Sequence, residues 1–116
     1  MPPQPEPAAP TPVRCIVTTF ESEEQAAGIV RTLVRKRLIA CGNILPGVRS
    51  IYTWQDKLED TEECIAILKT TTAHAAAASA RLSELHPYEV PEILILTPEA
   101  AAETYAAWVS GNVSPK

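Results

Sequence analysis

The sequence predicts an α+β domain, an antiparallel sheet with helices on one face, and three observations predict it. Four runs rich in β-branched and aliphatic residues, "VRCIVTTF", "VRSIYTWQ", "TEECIAILKTT" and "EILIL", have the composition of strands. Ala26, Ile29, Val30, Leu33 and Val34 recur at helical spacing between the first two of them. The segments follow one another as strand, helix, strand, strand, helix, strand and a closing helix. That βαββαβ order is the split-βαβ, ferredoxin-like arrangement.

Each element has a local cause. "MPPQPEPAAPTP" carries six of the eleven prolines and no large apolar residue after Met1, too little to offset the entropy of ordering, so residues 1–12 are expected to form a disordered tail. The domain then spans 13–113, and 114–116 form a short C-terminal tail. Val13 to Phe20 is the first strand. Ser22 with Gln25 three residues later matches a capping box and starts the first helix, in which Glu23 and Glu24 lead and Arg35 and Lys36 trail, as the helix dipole favours. Val48–Gln55 and Thr61–Thr71 are two strands joined through the polar "DKLED". Thr72 to Leu85 is an alanine-rich helix with Thr72 as N-cap and Ala76, Ala80, Leu82 and Leu85 on its buried side. In "LHPYEVPE", Pro87 and Pro91 push His86 and Val90 towards extended backbone, so the helix ends at Leu85 and a stiff joint follows. Ile93 to Leu96 suits a strand covered on both faces, and Pro98 opens the closing helix.

The bounds exclude several function classes. A chain of 116 residues with 46% hydrophobic residues is one domain, small enough that self-association would help it. A net charge of −4, with no basic cluster beyond Arg35 to Arg37, argues against nucleic acid as a partner. No apolar run approaches the roughly 20 residues that span a bilayer, and the N-terminus has no secretory pattern, so no membrane partner and a cytoplasmic location are expected. Cys15, Cys41 and Cys64 are odd in number and form no C-x-x-C pair, which argues against a disulfide framework or a zinc knuckle. A sheet with helices on one face leaves the other bare, and Ile51, Tyr52, Trp54, Ile65, Ile67 and "ILIL" supply more apolar surface than two helices cover. A copy of the same chain is the simplest cover.

"LIACGNILPGVRSIYTW", "LHPYEVPEILIL" and the closing "YAAWV" stand in the order and spacing of the CutA family of divalent-cation tolerance proteins, which the chain resembles over nearly all of 13–113. The resemblance implies a ferredoxin-like subunit in a tight homotrimer similar to the nitrogen-regulatory PII proteins, and a link to tolerance of copper and other heavy metals.

Two residues match the family's metal-associated positions. Cys41, in "ACGN", offers a soft thiolate, and His86, in "HPY", offers an imidazole; together they would bind Cu²⁺ or another divalent metal reversibly. Cysteine is also a common buried filler, and a histidine at this place also suits a helix C-cap. Some relatives carry further ligands where this chain has Leu85 and Val17. The resemblance also implies that Lys69 faces an intersubunit cleft, there to pair with Glu89 or hold an anion. Glu63 and Glu89 add carboxylates, and Tyr52, Trp54 and Tyr88 large surfaces. No catalysis is expected, since neither His74 nor His86 is placed to activate a cysteine nucleophile and the glycines form no phosphate loop. A PII-like signalling or scaffold trimer, binding a small ligand or protein in its clefts, is the alternative to metal binding.

Overall fold

The computed structural model of the chain describes residues 8–113. Its elements are β1 (Ala8–Ala9), β2 (Val13–Phe20), α1 (Glu23–Arg35), β3 (Cys41–Trp54), β4 (Lys57–Thr71), α2 (Thr72–Leu85), β5 (Leu94–Leu96), β6 (Ala101–Ala102) and α3 (Glu103–Asn112). The main sheet runs β3-β4-β2-β5 with every neighbour antiparallel. The ferredoxin-like order expected from the sequence is the order observed.

Alternation along the strands decides which face is covered. Ile16, Phe20, Ala66 and Leu68 point to one side and are closed over by Val30 and Leu33 of α1 and Ala78 and Leu82 of α2, forming the main core. Gly42 permits this approach: a Cβ there would lie 2.6 Å from Val30 Cγ1 and 2.9 Å from Leu68 Cδ2. The opposite face carries Cys15, Val17, Ile65, Ile67, Lys69 and Cys41. It is covered only at one end, where Val109 and Val113 pack on Val13 and Ala40.

The first helix forms as its caps dictate. Ser22 Oγ accepts from the Gln25 N–H at 3.2 Å, and the Gln25 side chain returns a bond to Glu21 N, one residue earlier than in a standard capping box. At the other end Arg37 takes φ 59°, so its N–H reaches Val34 O and the Leu38 N–H reaches Leu33 O, the two bonds of a Schellman turn. A glycine would suit that backbone better, but the Arg37 guanidinium donates to Gly111 O at 2.9 Å and ties α3 to the turn.

The hairpin is longer than its sequence suggests. β3 begins at Cys41 rather than Val48, and the turn is only Gln55–Asp56, both at positive φ (51° and 64°), so most of "DKLED" is strand. Such a two-residue turn matches the twist of its flanking strands. One extra residue on β3 between Leu45 and Val48 makes a bulge, with Gly47 at φ 70°. Beyond it, Val48–Trp54 and Lys57–Glu63 pair only with each other, because β2 ends at Phe20 opposite Cys64. This arm leaves Ile51, Tyr52, Trp54 and Leu58 exposed.

Five expectations are corrected. α2 buries Ala75, Ala78 and Leu82 while Ala76 and Ala80 face outward, because a run of alanines carries too little contrast to fix the phase. Its N-cap is Thr71, since the Thr72 N–H and hydroxyl both donate to Pro12 O, at 2.8 and 3.1 Å. β5 is an edge strand whose three residues are all exposed in the subunit, and α3 begins at Glu103, not Pro98. The tail does not extend to residue 12: Ala8–Ala9 pair with Ala101–Ala102, and Thr11 Oγ1 accepts from Val13 N at 3.1 Å. Residues 1–7 and 114–116 of the two expected tails lie outside the described residues.

Removing 1–12 strips β6 and the start of α2 of partners that removing 1–7 leaves in place. Thermal melting should show a loss of about 1–3 kcal/mol for the longer deletion, the cost of leaving such donors unpaired. Equal melting temperatures for the two truncations would contradict this role.

Candidate functional site

The joint after α2 turns two of its side chains inward. His86 is only 7% exposed, its ring stacks on Phe20 at 4.6 Å and 10°, and Tyr88 leans against it at 4.8 Å. Its Nε2 lies 2.8 Å from Thr19 O, a carbonyl that can only accept, so Nε2 carries the proton and donates. Nδ1 then accepts from the Tyr88 N–H at 3.1 Å. Both ring nitrogens are committed to backbone. The helix end is capped by the His86 N–H on Leu82 O, not by the imidazole. Burial pulls the His86 pKa down, opposed by the bond to Thr19 and by the charge of Glu63.

From this joint a cavity of about 440 Å³ opens on the uncovered face at the root of the arm, lined by Thr19, Tyr52, Trp54, Glu63, Tyr88, Glu89, Val90 and Glu92. The bulge makes this possible. Its extra residue puts Tyr52 and Trp54 on the same side of the sheet as Leu45 and Glu63. Tyr88 Oη–H donates to Glu63 Oε2 at 2.6 Å, and burial, then Glu63 itself, push the Tyr88 hydroxyl well above its ordinary range. Five of the residues singled out in the sequence, Tyr52, Trp54, Glu63, Tyr88 and Glu89, meet here. Thr19, Val90 and Glu92 were not singled out; alternation from Val13 would have placed Thr19 on this face, but nothing local marks the other two.

Cys41 and Lys69 lie elsewhere. Cys15, Lys69 and Cys41 stand side by side across β2, β4 and β3. Within the subunit Lys69 Nζ donates to Asn43 Oδ1, and Lys69 does not line the cavity. The Cys41 thiol sits 3.8 Å from Tyr105 Oη. Burial, then this thiol, push the Tyr105 hydroxyl up to about 12. Cys64 is a buried thiol whose pKa is raised first by burial and then by surrounding glutamates, as befits packing.

Cys41 pairs with Lys69 and His86 reaches Thr19, which pairs with Ile65, so the two residues expected to share a metal are roughly 13 Å apart along the sheet at about 3.3 Å per residue. The subunit does not bring them together, and His86 could ligate only by giving up a backbone bond. Among the described residues no group of three or more His, Cys, Asp or Glu is placed to hold a metal ion. The donors present within one subunit do not fit a resident metal.

A profile of the family described as CutA1 divalent ion tolerance protein matches residues 14–112. The chain belongs to the CutA1 divalent ion tolerance family. It is 40% identical to the divalent-cation tolerance protein CutA of Thermus thermophilus over 97 residues, 84% of this chain and 94% of that one. The structure of CutA from Synechococcus elongatus PCC7942 superposes with a TM-score of 0.88 at 32% identity, covering 93% of this chain and 96% of that one. The protein described as periplasmic divalent cation tolerance protein CutA from Archaeoglobus fulgidus gives 0.84 at 29% identity, covering 88% and 99%. Among the described residues of this CutA1 chain no helix is long and apolar enough to cross a membrane.

The lowered His86 pKa gives the CutA1 domain a pH signature. The unfolded chain takes up the proton near pH 6.5 while the folded one resists, so stability is complete above that pH and falls as pH drops through the window down to the folded pKa. Chemical denaturation from pH 7.5 to 5 should show this decline in the wild type and a flatter profile in His86→Asn; parallel profiles would contradict it.

Proposed function

We propose that this CutA1 chain works as a cytoplasmic homotrimer without catalysis, which supports tolerance of copper or other divalent metals by binding them reversibly. The observation that carries the assembly is the combination of an unsupported arm and a bare face. Ile51 and Leu58 of the arm are 60% and 76% exposed in the subunit, and Leu94 and Leu96 of the bare face 52% and 49%, two demands for cover that further copies of the same chain meet. The radius of gyration is 15.9 Å against about 13 Å for a compact chain of this length, which reflects the projecting arm. Three free cysteines suit a reducing compartment.

The metal contact rests on Cys41, a half-buried thiol beside a phenol, while His86 serves the fold through its two backbone bonds. One soft donor per subunit suits exchangeable binding rather than a structural ion, and folding does not depend on it. The cavity at the root of the arm favours a second reading, a PII-like trimer that binds a small ligand in a cleft and reports on it.

Native mass spectrometry tests assembly and metal together. The expected species is three times 12.6 kDa, taking up copper that a mild chelator removes. Cys41→Ser should reduce copper uptake, while His86→Gln should leave it unchanged and alter stability instead. A folded monomer at micromolar concentration would overturn the assembly, and copper uptake indifferent to Cys41→Ser would overturn the metal contact.

A further inference from the structure

We propose that the cavity at the root of the arm is a site for a primary alkylammonium ion, its ammonium head on Glu63 and Thr19 and its chain between Tyr52 and Trp54. This deepens the second reading above and rests on it.

The charge at the floor is the first argument. Glu63 is only 8% exposed, yet its one bond among the described residues is the Tyr88 hydroxyl on Oε2; Oε1 accepts nothing. Glu63 lines the cavity, so this free oxygen is an acceptor open to a cation or a donor that enters it. None of the residues lining the cavity is basic, and Glu89 and Glu92 at its exposed rim add to the negative field. An anionic ligand is thereby disfavoured.

The second argument is a free hydroxyl at the cavity wall. Thr19 is 9% exposed and lines the same cavity, and its Oγ1 has no partner among the described residues, since only its carbonyl is used, by His86. A primary ammonium carries three N–H donors. Glu63 Oε1, Thr19 Oγ1 and the remaining lone pair on Tyr88 Oη offer three acceptors. A bare divalent ion such as Ca²⁺ fits less well, since among the described residues no three carboxylates, imidazoles or thiols are grouped to hold one.

The walls supply the rest. Tyr52, Trp54 and Val90 are apolar or aromatic, which suits an alkyl chain and adds cation–π attraction at the aromatic faces. At about 440 Å³ the space lies within the range of small-molecule sites and takes a chain of a few carbons.

The test uses the full assembled chain and n-butylammonium, with n-butyrate and n-butanol as matched probes, read by calorimetry and by tryptophan fluorescence. Saturable binding of butylammonium alone is expected. Glu63→Gln, which keeps an oxygen for Tyr88 but removes the charge, should weaken binding about tenfold or more, as expected for loss of a charge-assisted hydrogen bond. Thr19→Val should weaken it by a smaller factor, and Trp54→Phe should remove the fluorescence change while calorimetric binding persists. Native mass and melting temperature of each variant report whether it is still assembled and folded. Butyrate or butanol binding as well as butylammonium would overturn the cation assignment and leave the ligand cleft standing. No binding by any probe to a folded trimer would overturn both. If Glu63→Gln dissociates a trimer that binds no butylammonium, the floor carboxylate serves a partner subunit's cation, and the proposal is wrong.

Discussion

A two-stranded ribbon cannot bury its own side chains, and the outer half of the β3–β4 hairpin is such a ribbon. Hairpins of this kind are marginal in water unless a third strand or another layer supports them. Here β2 stops at Phe20, so from Val48 to Glu63 no third strand pairs with the ribbon among the described residues. The bidentate Arg49–Asp60 pair, at 2.8 and 2.6 Å, braces the ribbon, and the guanidinium holds the Asp60 carboxyl below its usual range. That pair is solvent-exposed and screened, so it aligns the strands without replacing a buried layer. The apolar side chains of the arm are therefore left without cover in the single subunit, a demand that copies of the chain would meet.

The same constraint locates the candidate site. One extra residue at Pro46–Gly47 swings Tyr52 and Trp54 onto the uncovered face, where they meet Glu63. From the other side the proline-stiffened joint delivers Tyr88 to that carboxylate, and His86 locks the joint to β2 through Thr19 and Phe20. Arm, sheet and joint are thus tied through one short chain of contacts, Phe20 to His86 to Tyr88 to Glu63. A change in how the arm is held would be felt at the cavity, and an occupant of the cavity would be felt by the arm.

Much of this was legible in the sequence, and the failures have physical causes. The order of elements follows from strand composition, the Ser22 cap and the helical spacing of α1, all local signals. The depth of the hairpin does not: "LIACGNILPG" contains Pro46 and two glycines, which signal a break, but the pairing of β4 along its full length overrides them and absorbs Pro46–Gly47 as a bulge. The phase of α2 is invisible because alanine looks the same on every side. β1 is a tertiary effect, since Ala8–Ala9 have no strand propensity of their own and pair only because Ala101–Ala102 offer an edge. The aromatic and acidic residues of the cavity stood out by type, whereas Thr19, Val90 and Glu92 join it only through the fold. The family resemblance joined His86 to Cys41, and only the fold shows that the imidazole is spent on backbone while the thiol lies beside Tyr105.

The central claim is that the arm is covered by other copies of the chain, and hydrogen–deuterium exchange tests it most directly. In the assembled protein the amides of Val48–Trp54 and Lys57–Glu63 should exchange nearly as slowly as those of β2, because their hydrogen bonds open only when the assembly does. Fast exchange throughout the arm, with β2 still protected, would show a free ribbon on a self-sufficient subunit and would contradict the account.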